Sequence, residues 1–264
     1  MAAVAADPRS AIALALERVS PARTPRGTVL VLPGRGDDPS YYRRLAARLA
    51  ADGYAVDIAS APATSAADVA AAWSPAGTGA HDDLDGRPSS SGAPAAEGVH
   101  VVLGVDSSAG FAATALAEGL LDPAPAGAVF AGTALPGAAV PDGDDLAARS
   151  ACPLHRGVVL AADAPRIADS GIAPVWPATP AGLPVLALHG GADEIAPAGR
   201  VADLYEGWRG ELVTVRGGLH DVLNDVHHRS VAAEIVAFLE RLRLDEDAAP
   251  VLERTPIPPL GPVR

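Results

Sequence analysis

Residues 99–110, VHVVLGVDSSAG, run from a near-continuous apolar stretch straight into small and polar side chains. A strand buried on both faces of a parallel sheet has this composition, and its carboxyl end is where such a sheet delivers chemistry. Two other stretches end in the same way. LVLPGRG at 30–36 stops in Pro-Gly, and LALHGGADEIAP at 186–197 stops in a turn carrying Asp193. Twenty-seven residues beyond Asp193, after a further strand-like run, GGLHDVLND at 217–225 presents His220. Along the chain the order is a turn bearing Asp106, Ser107 and Ser108, then an acid, then a histidine.

The segments between these stretches alternate in period. GTVLVLPG at 27–34 reads as a strand and PSYYRRLAARLAADG at 39–53 as a helix, with Tyr42, Leu45 and Leu49 at helical spacing. YAVDIAS at 54–60 (strand), SAADVAAAW at 65–73 (helix), VHVVLGV at 99–105 (strand), GFAATALAEGLL at 110–121 (helix) and AGAVFAGTAL at 126–135 (strand) continue the pattern. LPVLALHG at 183–190 and ELVTVRGG at 211–218 read as the last strands, RSVAAEIVAFLERLR at 229–243 as the closing helix, and residues 8–19 as a helix or a strand. The expected fold class is α/β, a doubly wound, mostly parallel sheet. Its core spans 1–135 and 184–243. Residues 136–183 break the alternation and are expected to form a small lid of short helices and loops that turns Trp176 or Leu154 toward a pocket. The Gly/Pro/Ser-rich stretch 74–98 reads as a surface loop, and 244–264 as an extended tail.

Composition narrows the partners. A net charge of −12 argues against nucleic acid or an anionic membrane as a target, and every one of the 20 basic Lys/Arg positions is Arg. The one cysteine, Cys152, forms no internal disulfide framework and fits a reducing compartment. The N-terminal MAAVAADPRSAIALALERV lacks a basic leader and carries charges within its apolar run, so a cytoplasmic protein without stable membrane association is expected. A small-molecule substrate is the partner this leaves; the oligomeric state is not legible.

Asp193 sits where an acid can hold an imidazole Nδ1, with Glu194 as the rival, and His220 lies in a Gly-Gly turn that aims its ring at the sheet edge. At 106–108 three registers compete for the tight turn, which needs small residues two before and two after its apex. Asp106 is flanked by Gly104 and Ser108, Ser108 by Asp106 and Gly110, and Ser107 by Val105 and Ala109. A serine apex implies an acyl-enzyme. An aspartate apex implies displacement at carbon and an alkyl ester on the protein. In the Asp106 register the Ser108 hydroxyl is expected to cap the helix that follows. Cys152 and His155 are two residues of ligand type without a second pair, so no metal and no cofactor are expected.

The stretch LALHG (186–190), GGAD (190–193), GGLH (217–220), DVLND (221–225) and IVAFLERL (235–242) resembles the C-terminal third of the lysophospholipase/monoacylglycerol-lipase branch of the α/β-hydrolase superfamily. LPGRG followed by YYRRLAARLAADGYAVDI is similar to that family's oxyanion loop and first helix, with Pro33 in place of the usual histidine. The resemblance implies a hydrolase of a small-to-medium apolar ester-type substrate, acting through a nucleophile–histidine–acid triad. Asp193, His220 and one of Asp106, Ser107 and Ser108 would form the triad; the backbone N–H of Arg35, in the oxyanion loop with Gly34, would be one oxyanion donor and that of the residue after the nucleophile the other. One departure leaves alternatives open: the GVDSSAG turn admits an aspartate-nucleophile, dehalogenase-like hydrolase, or a non-hydrolytic lyase, cyclase or binding protein. The epoxide-opening branch is disfavoured because Tyr41, Tyr42, Tyr54 and Tyr205 all lie outside 136–183. Trp176 and His155 are the candidate pocket residues.

Overall fold

The structure is a computed structural model and describes residues 14–74, 81–83, 98–137, 145–162, 166–179, 181–245 and 247–252. Strands β1 (Leu16–Val19), β2 (Gly27–Leu32), β3 (Ala55–Ala59), β4 (His81–Asp83), β5 (Val99–Val105), β6 (Gly127–Ala131), β7 (Val185–Gly190) and β8 (Gly210–Val215) form one sheet. Its spatial order is β4-β1-β3-β2-β5-β6-β7-β8. Only the β1–β3 pairing is antiparallel; the other neighbours run parallel. The helices are α1 (Arg43–Ala51), α2 (Ala66–Ala72), α3 (Ser107–Ala117), α4 (Asp145–Arg149), α5 (Pro153–Ala161), α6 (Ala198–Leu204) and α7 (His228–Leu244). The segment at 8–19 thus resolves as a strand from Leu16. A short strand, β4, lies inside the stretch read as a loop; most of that stretch, residues 1–13 and the end of the tail fall outside the described residues.

Alternation along each strand sorts the core into two layers. Val29, Val31, Val101, Leu103, Leu186 and Leu188 face α1 and α7, meeting Leu45, Leu49, Ile235, Phe238 and Leu239. Leu30, Leu32, Val102, Ala128 and Phe130 face α2 and α3, meeting Val69, Phe111, Ala112 and Ala115. Each such side chain withdrawn from water contributes about 1.5–3 kcal/mol. The central strands are therefore fixed from both sides, and their carboxyl ends form a rigid rim. Among the described residues no helix is long and apolar enough to cross a membrane.

Helix α3 begins at Ser107, three residues earlier than the sequence pattern suggests, because the turn from β5 is completed by Asp106 alone. The helix is made of small residues and buried on nearly every side. Gly110 allows the 171–177 segment to cross it: a Cβ there would lie 1.9 Å from the Val175 carbonyl oxygen. Within 136–183 the described residues form α4, α5, a 3-10 turn (Ile167–Ser170) and extended chain, with no sheet strand.

Candidate active site

Asp106 is the turn between β5 and α3, with φ 50 and ψ −118. A non-glycine residue in this region costs on the order of 1–3 kcal/mol and persists only where its surroundings enforce it. Here its N–H donates to the Ala131 carbonyl at 3.0 Å, and its carbonyl accepts from the Ala134 N–H at 3.3 Å, so β6 and the turn beyond pin the backbone from both sides. Gly104 makes the bend possible, since a Cβ there would stand 2.6 Å from Ala109 Cα. The strain and the bend together thrust one side chain up from the rim, and that side chain is a carboxylate.

His220 faces it. The His220 Nε2 to Asp106 Oδ1 distance is 3.2 Å, and Nδ1 lies 2.8 Å from Asp193 Oδ2. Asp193 is fixed by its own turn: Oδ1 accepts the N–H groups of Ile195 (2.8 Å) and Ala196 (2.9 Å), so it caps that turn and holds the imidazole at once. His189, at the end of β7, adds a contact from Nε2 to Asp193 Oδ2 at 3.1 Å. Glu194 is exposed and takes no part. Gly132 lets the histidine turn approach, because a Cβ there would meet the His220 carbonyl oxygen at 2.4 Å.

The second partner of Asp106 is Arg35, which gives more than the backbone donor that the resemblance implies. Its N–H does donate to Asp106 Oδ2 (3.0 Å), but its guanidinium also binds the carboxylate as a fork, Nε to Oδ2 at 2.6 Å and Nη2 to Oδ1 at 2.8 Å. Asp106, Arg35, His220 and Asp193 are all buried, none more than 6% exposed. Burial alone would raise both carboxylate pKa values. The bonds from Arg35 and His220 outweigh it at Asp106, and the charge of His220 with bonds from His189 and His220 outweighs it at Asp193, so both lie well below the usual carboxylate range. Burial would depress His220, yet the two carboxylates hold it well above its ordinary value. The site thus sets two carboxylates against a guanidinium and an imidazole whose protonated form both carboxylates favour.

Other expected residues are placed differently. The Gly34 N–H does not face Asp106: it donates to Asp37 Oδ2 at 2.9 Å and to the Tyr42 hydroxyl at 3.3 Å. What Gly34 gives the site is room, since a Cβ there would be 2.9 Å from Asp106 Cβ. Ser108 does not cap α3. Its hydroxyl donates to the Pro33 carbonyl (2.6 Å) and accepts from the Ala63 N–H (3.1 Å), tying the β2 and β3 loops to the elbow. Ser107 Oγ is buried without a partner. The Trp176 indole donates to the Leu204 carbonyl (2.8 Å) and its ring packs with Phe130, Tyr205 and Trp208 on the α2/α3 side of the sheet, a core role in place of a pocket role. Leu154 is 78% exposed instead of turned inward.

His155 belongs to a buried ionic cluster beside His220. Its Nε2 lies 3.1 Å from Asp221 Oδ2, and its ring meets Tyr41 edge-on at 5.1 Å. Arg149 at the end of α4, 1% exposed, bonds Asp37 in the 33–37 loop and Asp221 (3.1 Å) beside His220. Asp37 also receives the Tyr42 hydroxyl. Burial pushes the Asp37 carboxyl up to about 6, against the lowering effect of Arg149. The α4–α5 segment is thereby fastened to both loops that flank His220 and Asp106. Cys152 is buried, and the described residues hold no cluster of three or more metal-ligating side chains. A cavity of about 470 Å³ opens at the opposite, amino end of β7 and β8, lined by Val185, Tyr205 and Trp208 among others, remote from His220.

No protein-family model matches the chain, and no curated protein matches it. Solved structures do. A soluble variant of monoglyceride lipase from Saccharomyces cerevisiae superposes with a TM-score of 0.62 at 14% identity, over 86% of this chain and 91% of that one. Monoacylglycerol lipase from Paleococcus ferrophilus gives 0.61 at 16% identity, over 88% and 99%. An esterase from Exiguobacterium antarcticum gives 0.59 at 16% identity, over 86% and 95%. The chain has the α/β-hydrolase fold.

Proposed function

We propose that this protein is a hydrolase that cleaves a carbon–heteroatom bond of a small substrate through a covalent ester on Asp106. The reading is carried by one observation: the residue at the strained apex of the elbow, 3.2 Å from a histidine seated on Asp193, is an aspartate, while Ser108 is bonded to Pro33 and Ala63. In the first step Asp106 Oδ1 attacks the substrate carbon as the bond to the leaving group breaks, and the leaving group departs with the electron pair. Oδ2, which receives the Arg35 N–H, becomes the ester carbonyl oxygen.

Esterification removes the charge of Asp106, and with it part of what keeps His220 protonated. His220 then releases its proton and serves as the base. It takes a proton from water, which attacks the Asp106 carboxyl carbon, and the oxyanion forming on Oδ2 accepts the Arg35 N–H. Collapse expels the alkoxide, which takes from His220 the proton drawn from water, and the carboxyl proton of Asp106 then passes to the imidazole, restoring the carboxylate. The sum is substrate plus water giving alcohol, the leaving anion and one proton. Asp193 keeps the imidazole in the required tautomer throughout. No step calls for a metal or organic cofactor. Substrate reaches the buried triad when the α4–α5 segment lifts as a lid, releasing Arg149 from Asp37 and Asp221.

A single turnover in heavy-oxygen water tests this. The label should enter the Asp106 side chain, found by mass spectrometry of the peptide that contains it, before it enters the alcohol. Label in the product alone would refute the covalent step, and stoichiometric fluorophosphonate labelling of Ser107 or Ser108 would restore a serine esterase. One observation favours a second reading: four hydrogen bonds saturate the Asp106 carboxylate, as a structural anchor in a non-hydrolytic relative would require. That reading expects label in neither place.

A further inference from the structure

Arg35 is a buried cation whose counterion changes during the proposed reaction. In the resting site its Nε and Nη2 are engaged by Asp106. An uncompensated charge at this depth is strongly unfavourable, which is why buried charges occur in pairs. Once Asp106 becomes an ester it is neutral, and it can no longer balance the guanidinium. The remaining carboxylate of the triad does not replace it, because Asp193 is fully used by His220, His189 and two backbone N–H groups. The same step creates a new anion, the leaving group, within the closed site.

We infer that the Arg35 guanidinium is the receptor for the small anion that the substrate releases, binding it as Asp106 gives up its charge. The inference rests on Asp106 acting as the nucleophile and specifies the substrate class: an electrophilic carbon whose leaving group departs as a compact anion, a halide or a small carboxylate. No proton is needed at the leaving atom, so the chemistry differs from opening a strained ether, whose oxygen must be protonated as it leaves. Three of the four phenols are engaged elsewhere, Tyr42 by Asp37, Tyr54 by Glu240 (2.7 Å) and Tyr205 by Thr133 (2.6 Å), while the Tyr41 hydroxyl is buried without a partner. A guanidinium accepts a spherical halide or a planar carboxylate with the same donors, and the Nη1 side of the fork is not used by Asp106.

The exchange of counterions can be measured without knowing the substrate. Asp106→Asn carries the charge of the ester state, and Asp106→Ala is a second neutral variant should the amide disturb the elbow; circular dichroism establishes that each is folded. Binding of sodium bromide and, separately, sodium formate is followed by calorimetric titration in chloride-free buffer, at ionic strength held constant with sodium gluconate. Both neutral variants should bind at least one of these anions roughly ten-fold more tightly than the unaltered protein, in which Asp106 competes for the same donors. Bromide alone identifies a halide and formate alone a carboxylate leaving group. Replacing Arg35 by Gln in the Asp106→Asn background should abolish the gain. Neutral variants that bind neither anion more tightly, or a gain that survives Arg35→Gln, would overturn the inference. Its failure is distinct from failure of the covalent reading: heavy oxygen in Asp106 without the anion site refutes the receptor alone.

Discussion

Replacing Arg149 by Met should unfasten the α4–α5 segment from the loops that carry Asp37 and Asp221, and the size of the effect follows from its partners. Arg149 is 1% exposed and is the cation between Asp37 and Asp221, with Asp145 farther off at 3.9 Å. Methionine fills much of the volume but leaves two buried carboxylates facing each other. Removing one partner of a buried ionic cluster costs about 3–5 kcal/mol. At about 2–4 °C per kcal/mol for a domain near this size, Tm measured by circular dichroism at pH 8 should fall by roughly 6–20 °C.

The pH dependence makes the test specific. Asp37 titrates at about 6 in the folded protein against an ordinary 3.8, so the folded state holds that proton more tightly than the unfolded state. Through this group stability is highest below the ordinary value, declines as pH rises toward about 6, and is level above it. Without Arg149, which lowers the Asp37 pKa, the decline extends to higher pH. The loss in Tm should therefore be larger at pH 8 than at pH 5, where Asp37 is already protonated. Adding Asp37→Asn should return at least about 1 kcal/mol of the loss at pH 8 in a double-mutant cycle. A Tm change at pH 8 below about 3 °C, or one equal at both pH values, would refute the view that Arg149 compensates these carboxylates.

Three further outcomes are expected. His220→Ala should lower kcat by on the order of 10³-fold or more with the fold retained, and Asp193→Asn should lose most of the same activity while Glu194→Gln loses almost none. Ser108→Ala should keep turnover within a few-fold but cost about 1–3 kcal/mol in a urea titration, because the Ala63 N–H and Pro33 carbonyl lose their buried partner; loss of all turnover in a stable Ser108→Ala protein would contradict its structural role. Gly104→Ala should yield little soluble protein, since its Cβ would stand 2.6 Å from Ala109 Cα in a helix with no space to retreat; normal expression and Tm would mean the elbow is looser than described.

What could be read from the sequence is what local sterics dictate. VHVVLGV has one stable use, a strand buried on both faces, and Gly104 two residues before Asp106 marks the tight bend whatever surrounds it. Asp193 and His220 were legible because each follows a strand directly, in turns made of small residues. The Arg35 fork was not, because a long side chain's direction depends on the field of a partner 71 positions away. The Arg149 cluster joins residues 112 and 72 positions apart, and no periodicity links them. Asp221 offered the one local signal, a second acid directly after the histidine. Trp176 and Leu154 were misplaced because apolar character in an irregular segment does not say which surface it covers, and the aromatic group around Phe130 claimed the indole.

Asp106 and Arg35 account for each other. An aspartate at the elbow apex, buried beside Asp193, would put two carboxylates on one histidine, and like charges so close cannot both stay ionised without further compensation. An arginine in the 33–37 loop, reaching under the rim with no carboxylate at the apex, would be an isolated buried cation. Each residue alone is costly, whereas together they form a bidentate pair whose geometry leaves Asp106 ionised and its Oδ1 turned to His220. The pairing also constrains the chemistry, since whatever consumes the charge of one must supply a charge to the other. A serine at this position would have no claim on Arg35, which is why the identity of the loop residue bears on the identity of the nucleophile.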